Sequence, residues 1–432
     1  MTRFSKDYDK IGVLGLGYVG LPLSLLLARN FRVVGFDSDS KRMDKIIQGK
    51  LPMFEPQLDQ LISMPEIKEN LIFAKENRYL KETKIKIITV GTPYDPETDS
   101  IDYSQLRSAL ELLGHNLSVG DIVILKSTVP PGTTNNLVRR SIEELDYKVP
   151  EEIGIAFSPE RMVEGQAVKD FLTLPKIVGA SDMETMDVAC TVIGSLGGKV
   201  IRVSSIETAE MVKMVDNYSR FVFLGLTNEL ALTSEKYGVD VLELLRTARD
   251  EYPRNSGLLL PGPGVGGSCL NKDPFILKAD AKEKGVVLKM IDSAKAINRS
   301  MPIHMVDLVD KFANNRKLVL LAGIAFKGDT DDTRYSPAIE IYEELKRRGY
   351  GVVATDPFVV NTNFPISNDI YEASKGVNIM VLLSDHSSYL RLDLKKLKKK
   401  MDTNPVIIDS RGIVEKTEAT KLGFEYHGLG RI

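Results

Sequence analysis

Cys269 stands in the stretch 263–273, PGVGGSCLNKD, as one of two cysteines in 432 residues. Glycines at 264, 266 and 267 let backbone approach a ligand closely, and Lys272 and Asp273 follow within four residues. A nearby cation or helix N-terminus lowers a thiol's pKa and favours the reactive thiolate. Asp273 is a candidate proton acceptor. A lone cysteine in a turn also serves as small apolar filler, and the stretch by itself fits either role. Lys213 and Asn217 lie four apart in AEMVKMVDN (209–217), beside Val212, Met214 and Val215. A lysine near the buried side of a helix needs a snorkelling path or a partner. Shielded from water, it stabilises a developing oxyanion. KSTVPPGTT (126–134) puts Ser127 and Thr128 where an apolar run ends. Ligands of open α/β sheets bind beyond such strand ends, although Ser and Thr there also cap helices. SPERMVEG (158–165) sets Glu160 and Glu164 four apart, which in a helical turn would place both carboxylates on one face. Paired surface glutamates are common, so this spacing alone decides nothing.

Gly15-Leu16-Gly17-Tyr18-Val19-Gly20 follows an apolar run and opens a helical pattern. One glycine makes a tight turn, one lets backbone approach a pyrophosphate, and one packs helix against strand. The helix N-terminus then offers N–H groups and a positive dipole end to the phosphates. Asp37 ends the next apolar run, 22 residues after Gly15. A carboxylate there binds ribose hydroxyls and repels a 2′-phosphate, so NAD is expected rather than NADP. Arg42 follows by five residues and lies over the adenine ribose or on an ordinary helix surface.

These residues need a frame. Apolar runs at 10–14, 32–36, 71–74, 85–90, 122–125, 153–157 and 200–203 read as buried parallel strands, with helical patterns at 18–29 and 104–117 between them. From 206 a helical period continues for about thirty residues to a stop at Gly238. It opens a helical section running to about 315, with a surface suited to a dimer. Strands then return at 317–326, 351–356, 378–385 and 406–412, with a helix at 336–348. The expected architecture is α/β: two Rossmann-like doubly wound parallel-sheet domains, 1–205 and 316–432, joined by a long central helix and a helical dimerisation region, 206–315. The two α/β ends read as structural echoes of one another. The basic run 395–400 lies in a helical pattern and reads as a solvated face.

Composition narrows the functions. A net charge of −2 gives no reason to expect nucleic acid or an anionic membrane as partner. Two cysteines make no disulfide framework and suit a reducing cytoplasm. Four scattered histidines form no recognisable metal site. The uncharged stretch 11–28 imitates a signal peptide or a membrane span. Four glycines and Pro22 interrupt it, and RNFRVVGFD follows instead of a cleavage site.

Taken together, GLGYVGLP, KSTVPPGT, SPERMVEG, AEMVKMVDN, PGVGGSCLNKD and GIAFKGDTDDTR, in this order, resemble the nucleotide-sugar 6-dehydrogenase family. That resemblance covers nearly the whole chain. It implies an N-terminal NAD domain, a dimer built on the central helix and a C-terminal domain for a UDP-sugar. It also implies oxidation of the sugar C6 alcohol to a carboxylate, with two NAD reduced in succession. Cys269 matches the nucleophile, and Lys213 and Asn217 match the pair that stabilises oxyanions at C6. Thr128 and Asp273 match groups that position water or alcohol. Glu164 matches a hydrolytic acid/base and Glu160 a neighbouring site glutamate. The implied cofactor set is Gly15, Gly17, Tyr18, Val19, Gly20, Asp37, Arg42, Thr92, Thr128 and Arg334. Arg161, Arg254, Gly266, Lys327 and Arg411 join Glu160, Lys213 and Asn217 on the substrate side, with Arg254 reaching across the dimer. The subfamily marks are mixed. PER and PGPGVGG look like the N-acetylhexosamine branch, expected here as UDP-N-acetylmannosamine. Ser268, where that branch has His, and Glu164, where it has Pro, look like the glucose and mannose branches. A silent NAD- or sugar-nucleotide-binding regulator and a two-electron hydroxyacid dehydrogenase are the competing functions. NADH stoichiometry separates them.

Overall fold

The computed structural model describes residues 8–53, 55–252 and 255–431. Its strands in chain order are β1 (Lys10–Leu14), β2 (Arg32–Phe36), β3 (Leu71–Phe73), β4 (Ile85–Ile88), β5 (Tyr94–Asp95), β6 (Ser100–Ile101), β7 (Ile122–Leu125), β8 (Gly154–Phe157), β9 (Lys176–Ala180), β10 (Val200–Arg202), β11 (Leu318–Ala322), β12 (Gly351–Thr355), β13 (Ile366–Ser367), β14 (Ile379–Leu382), β15 (Val406–Asp409) and β16 (Glu425–Gly428). The chain divides into two units, Met1–Asp216 and Asn217–Ile432, each with its own sheet.

The first sheet has the order β10-β9-β8-β7-β4-β1-β2-β3. β1 pairs in parallel with β2 on one side and β4 on the other, so the strand order reverses beside it. That switch point is where a doubly wound sheet opens a ligand crevice. Strand side chains alternate between two cores. Ile11, Val13, Ile85, Ile87, Ile122 and Ile124 fill one face, and Leu14, Ile88, Val123, Leu125 and Phe157 the other. Burial on both faces is why these strands read as continuous apolar runs. The apolar stretch 11–28 resolves the same way: β1 is followed by a helix, Gly20–Leu27, buried along its whole length. No helix among the described residues is long and apolar enough to cross a membrane.

One expectation needs correcting. The sheet is not parallel throughout, because β9 runs antiparallel to β8 with Ala156 opposite Ala180, and β10 runs parallel to β9. β9 has the sequence KIVGA. A charged first residue and a glycine hid its apolar character.

The helix Ile206–Tyr237 follows and stops at Gly238, whose φ of +66° is the left-handed conformation expected of a helix-ending glycine. Helices Val241–Asp250, Asp273–Glu283 and Lys289–Ala313 come next, with no strand among the described residues between 206 and 313.

The second sheet, β13-β12-β11-β14-β15-β16, is parallel throughout. It repeats the first in detail. Gly323 has φ +95° after β11 and Gly15 has φ +94° after β1. The Gly323 amide donates to Thr355 O and the Gly15 amide to Phe36 O, both at 2.8 Å. Asp356 beyond β12 takes the place of Asp37 beyond β2 and accepts from the Ile324 and Ala325 amides at 2.8 and 2.9 Å. It differs in being closed off. His386 Nε2 lies 3.0 Å from Asp356 Oδ2, and the Phe358 and Val359 amides donate to Oδ1.

Candidate active site

In the first unit the glycine fingerprint divides its labour visibly. Gly15 makes the turn out of β1. A Cβ at Gly20 would lie 1.8 Å from the Gly15 carbonyl oxygen, so only glycine lets the helix Gly20–Leu27 close on that turn. Nothing lies within 4 Å of where a Cβ at Gly17 would stand, which leaves open space for a phosphate. Val19 places no side-chain cap on the helix start, where the Leu21 amide donates to Gly17 O at 3.1 Å and Pro22 has no amide hydrogen. Tyr18 and Val19, half-buried, complete the turn. Asp37 Oδ2 accepts from the Leu16 amide at 2.7 Å and from Arg42 Nη1 at 2.8 Å, and Oδ1 accepts from the Asp39 amide at 2.8 Å. Two carboxylate oxygens offer about four acceptor positions, so room for a ribose hydroxyl remains.

Beyond β4 and β7, Thr92 donates its hydroxyl to Thr128 O, and Ser127 Oγ donates to Val90 O at 2.6 Å. The two strand ends are thereby stitched together, with Thr128 itself half-buried. Lys126 is buried where β7 ends; it donates to Ser158 O at 3.1 Å and pairs with Glu160 Oε2 at 3.2 Å. The segment 158–165 forms no helix and turns at 164–165, so the helical spacing expected for Glu160 and Glu164 is absent. Glu160 instead folds back: its Oε1 accepts from the amides of Arg161 and Met162 at 2.8 and 2.9 Å. Arg161 pairs with Asp216 at 3.6 Å. Lys213 is buried on the long helix. One turn earlier, Glu210 accepts from the Gly132 amide at 2.5 Å, the Thr134 amide at 2.8 Å and Thr134 Oγ1 at 2.6 Å. Burial raises the Glu210 pKa to about 7 despite these bonds.

In the second unit Cys269 is exposed, in a turn just before the helix Asp273–Glu283. Its carbonyl accepts from the Lys272 and Asp273 amides at 3.2 and 2.8 Å, which fixes the thiol's residue against the helix start. Asn271 Nδ2 braces the loop by donating to Val265 O and Gly267 O, both at 2.9 Å. Glycine is obligatory at 266, because a Cβ there would come within 2.4 Å of Phe326 Cβ. Asp273 is buried; its Oδ2 accepts from Asn217 Nδ2 at 2.5 Å and its Oδ1 pairs with Lys272 at 2.9 Å. Asp273 thus links Asn217 and Lys272 into one connected polar group. Lys272 has its charge engaged by Asp273. Lys327 is half-buried with its ammonium over the Phe326 ring. Arg334 grips Asp332 through Nε and Nη2 at 2.9 and 2.7 Å and holds the loop through Gly267 N to Arg334 O at 2.9 Å. Arg411 donates Nε to Leu383 O at 2.9 Å and Nη2 to Phe326 O at 3.3 Å; burial lowers its pKa from the ordinary arginine value. Arg254 lies outside the described residues.

Residues 9–194 match the NAD binding domain of the UDP-glucose/GDP-mannose dehydrogenase family, 207–300 its central domain and 320–416 its UDP binding domain. The chain belongs to the UDP-glucose/GDP-mannose dehydrogenase family. It is similar to a UDP-N-acetyl-D-mannosamine dehydrogenase of Methanocaldococcus jannaschii, 32% identical across 100% of this chain and 99% of the relative. It is also similar to a UDP-glucose 6-dehydrogenase of Rickettsia bellii, 29% identical over 97% of this chain and 99% of the relative. Among solved structures, a UDP-D-ManNAc dehydrogenase from Pyrococcus horikoshii superimposes with a TM-score of 0.87 at 31% identity, covering 98% of this chain and 99% of that one. The protein is therefore an NAD-dependent oxidoreductase of this family, and its glycine turn with the open face at Gly17 fits that cofactor. Three groups that shape this dehydrogenase went unread in the sequence: Lys126, Glu210 and Glu55. Lys126 and Glu210 carried a legible signal, each being a charge set in an apolar run or helix face.

Proposed function

We propose that the enzyme oxidises C6 of a UDP-N-acetylhexosamine, UDP-N-acetylmannosamine, to the uronic acid, reducing two NAD per sugar. The observation that carries this reading is an exposed thiol, Cys269, on a glycine-braced loop beside the buried Asn217–Asp273 pair. Bound NAD supplies the hydride acceptor for both oxidations. Thr128 and Asp273 hold the C6 alcohol or a water, and Lys213 and Asn217, one turn apart on a single helix, stabilise negative charge on the C6 oxygen. The first oxidation leaves an aldehyde. Cys269 adds its thiolate to the aldehyde carbon, and the resulting thiohemiacetal carbon again bears a hydrogen that can leave with its electron pair. That departure leaves a thioester. Glu164 assists water to attack it, which releases the carboxylic acid and regenerates the thiol. A planar aldehyde has no such hydrogen to give in tetrahedral form, which is why a cysteine suits the second step.

Gly15, Gly17, Tyr18, Val19, Gly20, Asp37, Arg42, Thr92 and Arg334 serve the cofactor in this reading. Glu160, Arg161, Arg254, Gly266, Lys327 and Arg411 serve the UDP-sugar, with Glu160 and Arg411 acting through the loops they hold. The three-part division 1–205, 206–315 and 316–432 belongs to the same proposal, as do a homodimer and a cytoplasmic place in polysaccharide biosynthesis. Exposed Met211, Val215 and Leu226 along one side of the long helix favour the dimer. A second reading, UDP-glucose as substrate, is favoured by Ser268 before the cysteine and by Glu164. The deciding experiment offers UDP-N-acetylmannosamine, UDP-N-acetylglucosamine, UDP-glucose and GDP-mannose and counts NADH per sugar. Fastest turnover on the acetamido sugar with two NADH supports the proposal. Preference for UDP-glucose overturns the sugar assignment, and one NADH per sugar overturns the chemistry.

A further inference from the structure

The loop that carries Glu160 and Glu164 has almost no secondary structure of its own, yet its amides are nearly all held. Glu160 takes those of Arg161 and Met162, and Asp170 Oδ2 takes that of Val163 at 2.8 Å. The last two, on either side of Gln166, go to a residue 110 and 112 positions away. Glu55 Oε2 accepts from the Gly165 amide at 2.7 Å, and Glu55 Oε1 from the Ala167 amide at 2.7 Å. Glu55 is only 5% exposed. Gly165 has φ +84°, so the chain reverses immediately after Glu164, in a conformation that the two bonds to one carboxylate stabilise. A buried carboxylate that accepts two amide hydrogens is a strong, charge-assisted clamp.

We infer that Glu55 is a positioning residue for the reaction: its carboxylate fixes the Glu164–Gly165 turn and so sets where the Glu164 carboxyl is delivered for hydrolysis of the thioester. The inference rests on the hydrolytic role proposed for Glu164. Glu55 touches neither sugar nor cofactor in this scheme; it acts through the backbone of residues 165 and 167. Glutamine at 55 keeps one acceptor oxygen and turns an amide donor toward the other N–H, so one anchor of the turn is lost.

The test is a double-mutant cycle in the full-length enzyme with saturating NAD and the sugar nucleotide that the wild type oxidises fastest. Glu55→Gln, Glu164→Gln and the double variant are compared for kcat, KM, thermal stability and acid-quenched sugar adduct on Cys269 by intact mass. Glu55→Gln is expected to lower kcat about 10-fold or more, leave KM for NAD within about twofold, and accumulate the acyl adduct. The double variant is expected to be no slower than Glu164→Gln alone, because both changes remove one function. Wild-type turnover in Glu55→Gln beside a slow Glu164→Gln overturns the inference and leaves the Glu164 role standing. Multiplying rate losses in the double variant, or loss of NAD binding in step with turnover, assign Glu55 to general folding and also overturn it. Wild-type turnover in Glu164→Gln removes the hydrolytic role and the inference together. If Glu55→Gln does not fold, Glu55→Asp, charged but one methylene short, carries the same cycle.

Discussion

Replacing Glu210 by glutamine tests the clamp on the 132–134 turn through its pH dependence. Burial raises the Glu210 pKa from its ordinary 4.5 to about 7; hydrogen bonds from Thr134 and Gly132 oppose the rise, and repulsion from Glu207 adds to it. The folded protein therefore holds this proton more tightly than the unfolded chain does. Below the ordinary value both states carry the proton, and the stability that Glu210 contributes through proton binding is fully present. As pH rises from 4.5 to about 7 that contribution is lost, and above 7 none remains. The separation corresponds to about 3 kcal/mol. Glutamine does not titrate, so the variant lacks this fall. Its retained acceptor oxygen and lost bonds add a pH-independent offset that cancels when profiles are compared. The assay is chemical denaturation of both proteins from about pH 5 to about pH 8, with slopes checked for constancy. The stability difference should move by about 3 kcal/mol in favour of the variant across that range. Parallel profiles would refute the claim that this carboxylate is desolvated and clamped.

Other outcomes follow from the same geometry. Cys269→Ser should retain NAD binding and form no acid; normal NADH turnover in that variant contradicts the thioester route. Lys213→Ala should lower kcat about 100-fold while UDP-sugar affinity falls far less, and an unchanged kcat contradicts the oxyanion role. Glu160→Gln leaves Lys126 buried without its carboxylate and should destabilise the protein by about 3 kcal/mol, read by denaturation at neutral pH. Gly20→Ala should abolish NAD binding, because its Cβ would lie 1.8 Å from the Gly15 oxygen; wild-type NAD affinity by calorimetry speaks against that packing.

The strands of both sheets were legible because burial on two faces writes apolar runs into the chain, and the long helix ended at Gly238 as its pattern foretold. Strands that carry little apolar sequence were not: β9 begins with lysine, β13 has two residues, and β16 reads EYHG. The NAD turn was legible because its glycines are neighbours in sequence. The carboxylate clamps were not, since Glu55 and the Gly165 turn it holds are far apart along the chain. The spacing of Glu160 and Glu164 misled for a physical reason: Glu160 satisfies the two amides after it and the buried Lys126, which draws the segment out of a helix.

The two sheets share a turn and a strand-end acid, and both acids are buried, but their partners differ. Asp356 is enclosed by four amides and His386, while Asp37 has Arg42 at its side as a partly exposed neighbour. For a protein engineer this separates two design problems. Under the cofactor roles proposed for Asp37 and Arg42, coenzyme preference would be retuned at those two residues with the second sheet left alone. Converting that second sheet into another dinucleotide site would mean dismantling the aspartate–histidine plug that closes its turn. Duplicated architecture has here become a modular chassis, with the second socket sealed by its own histidine.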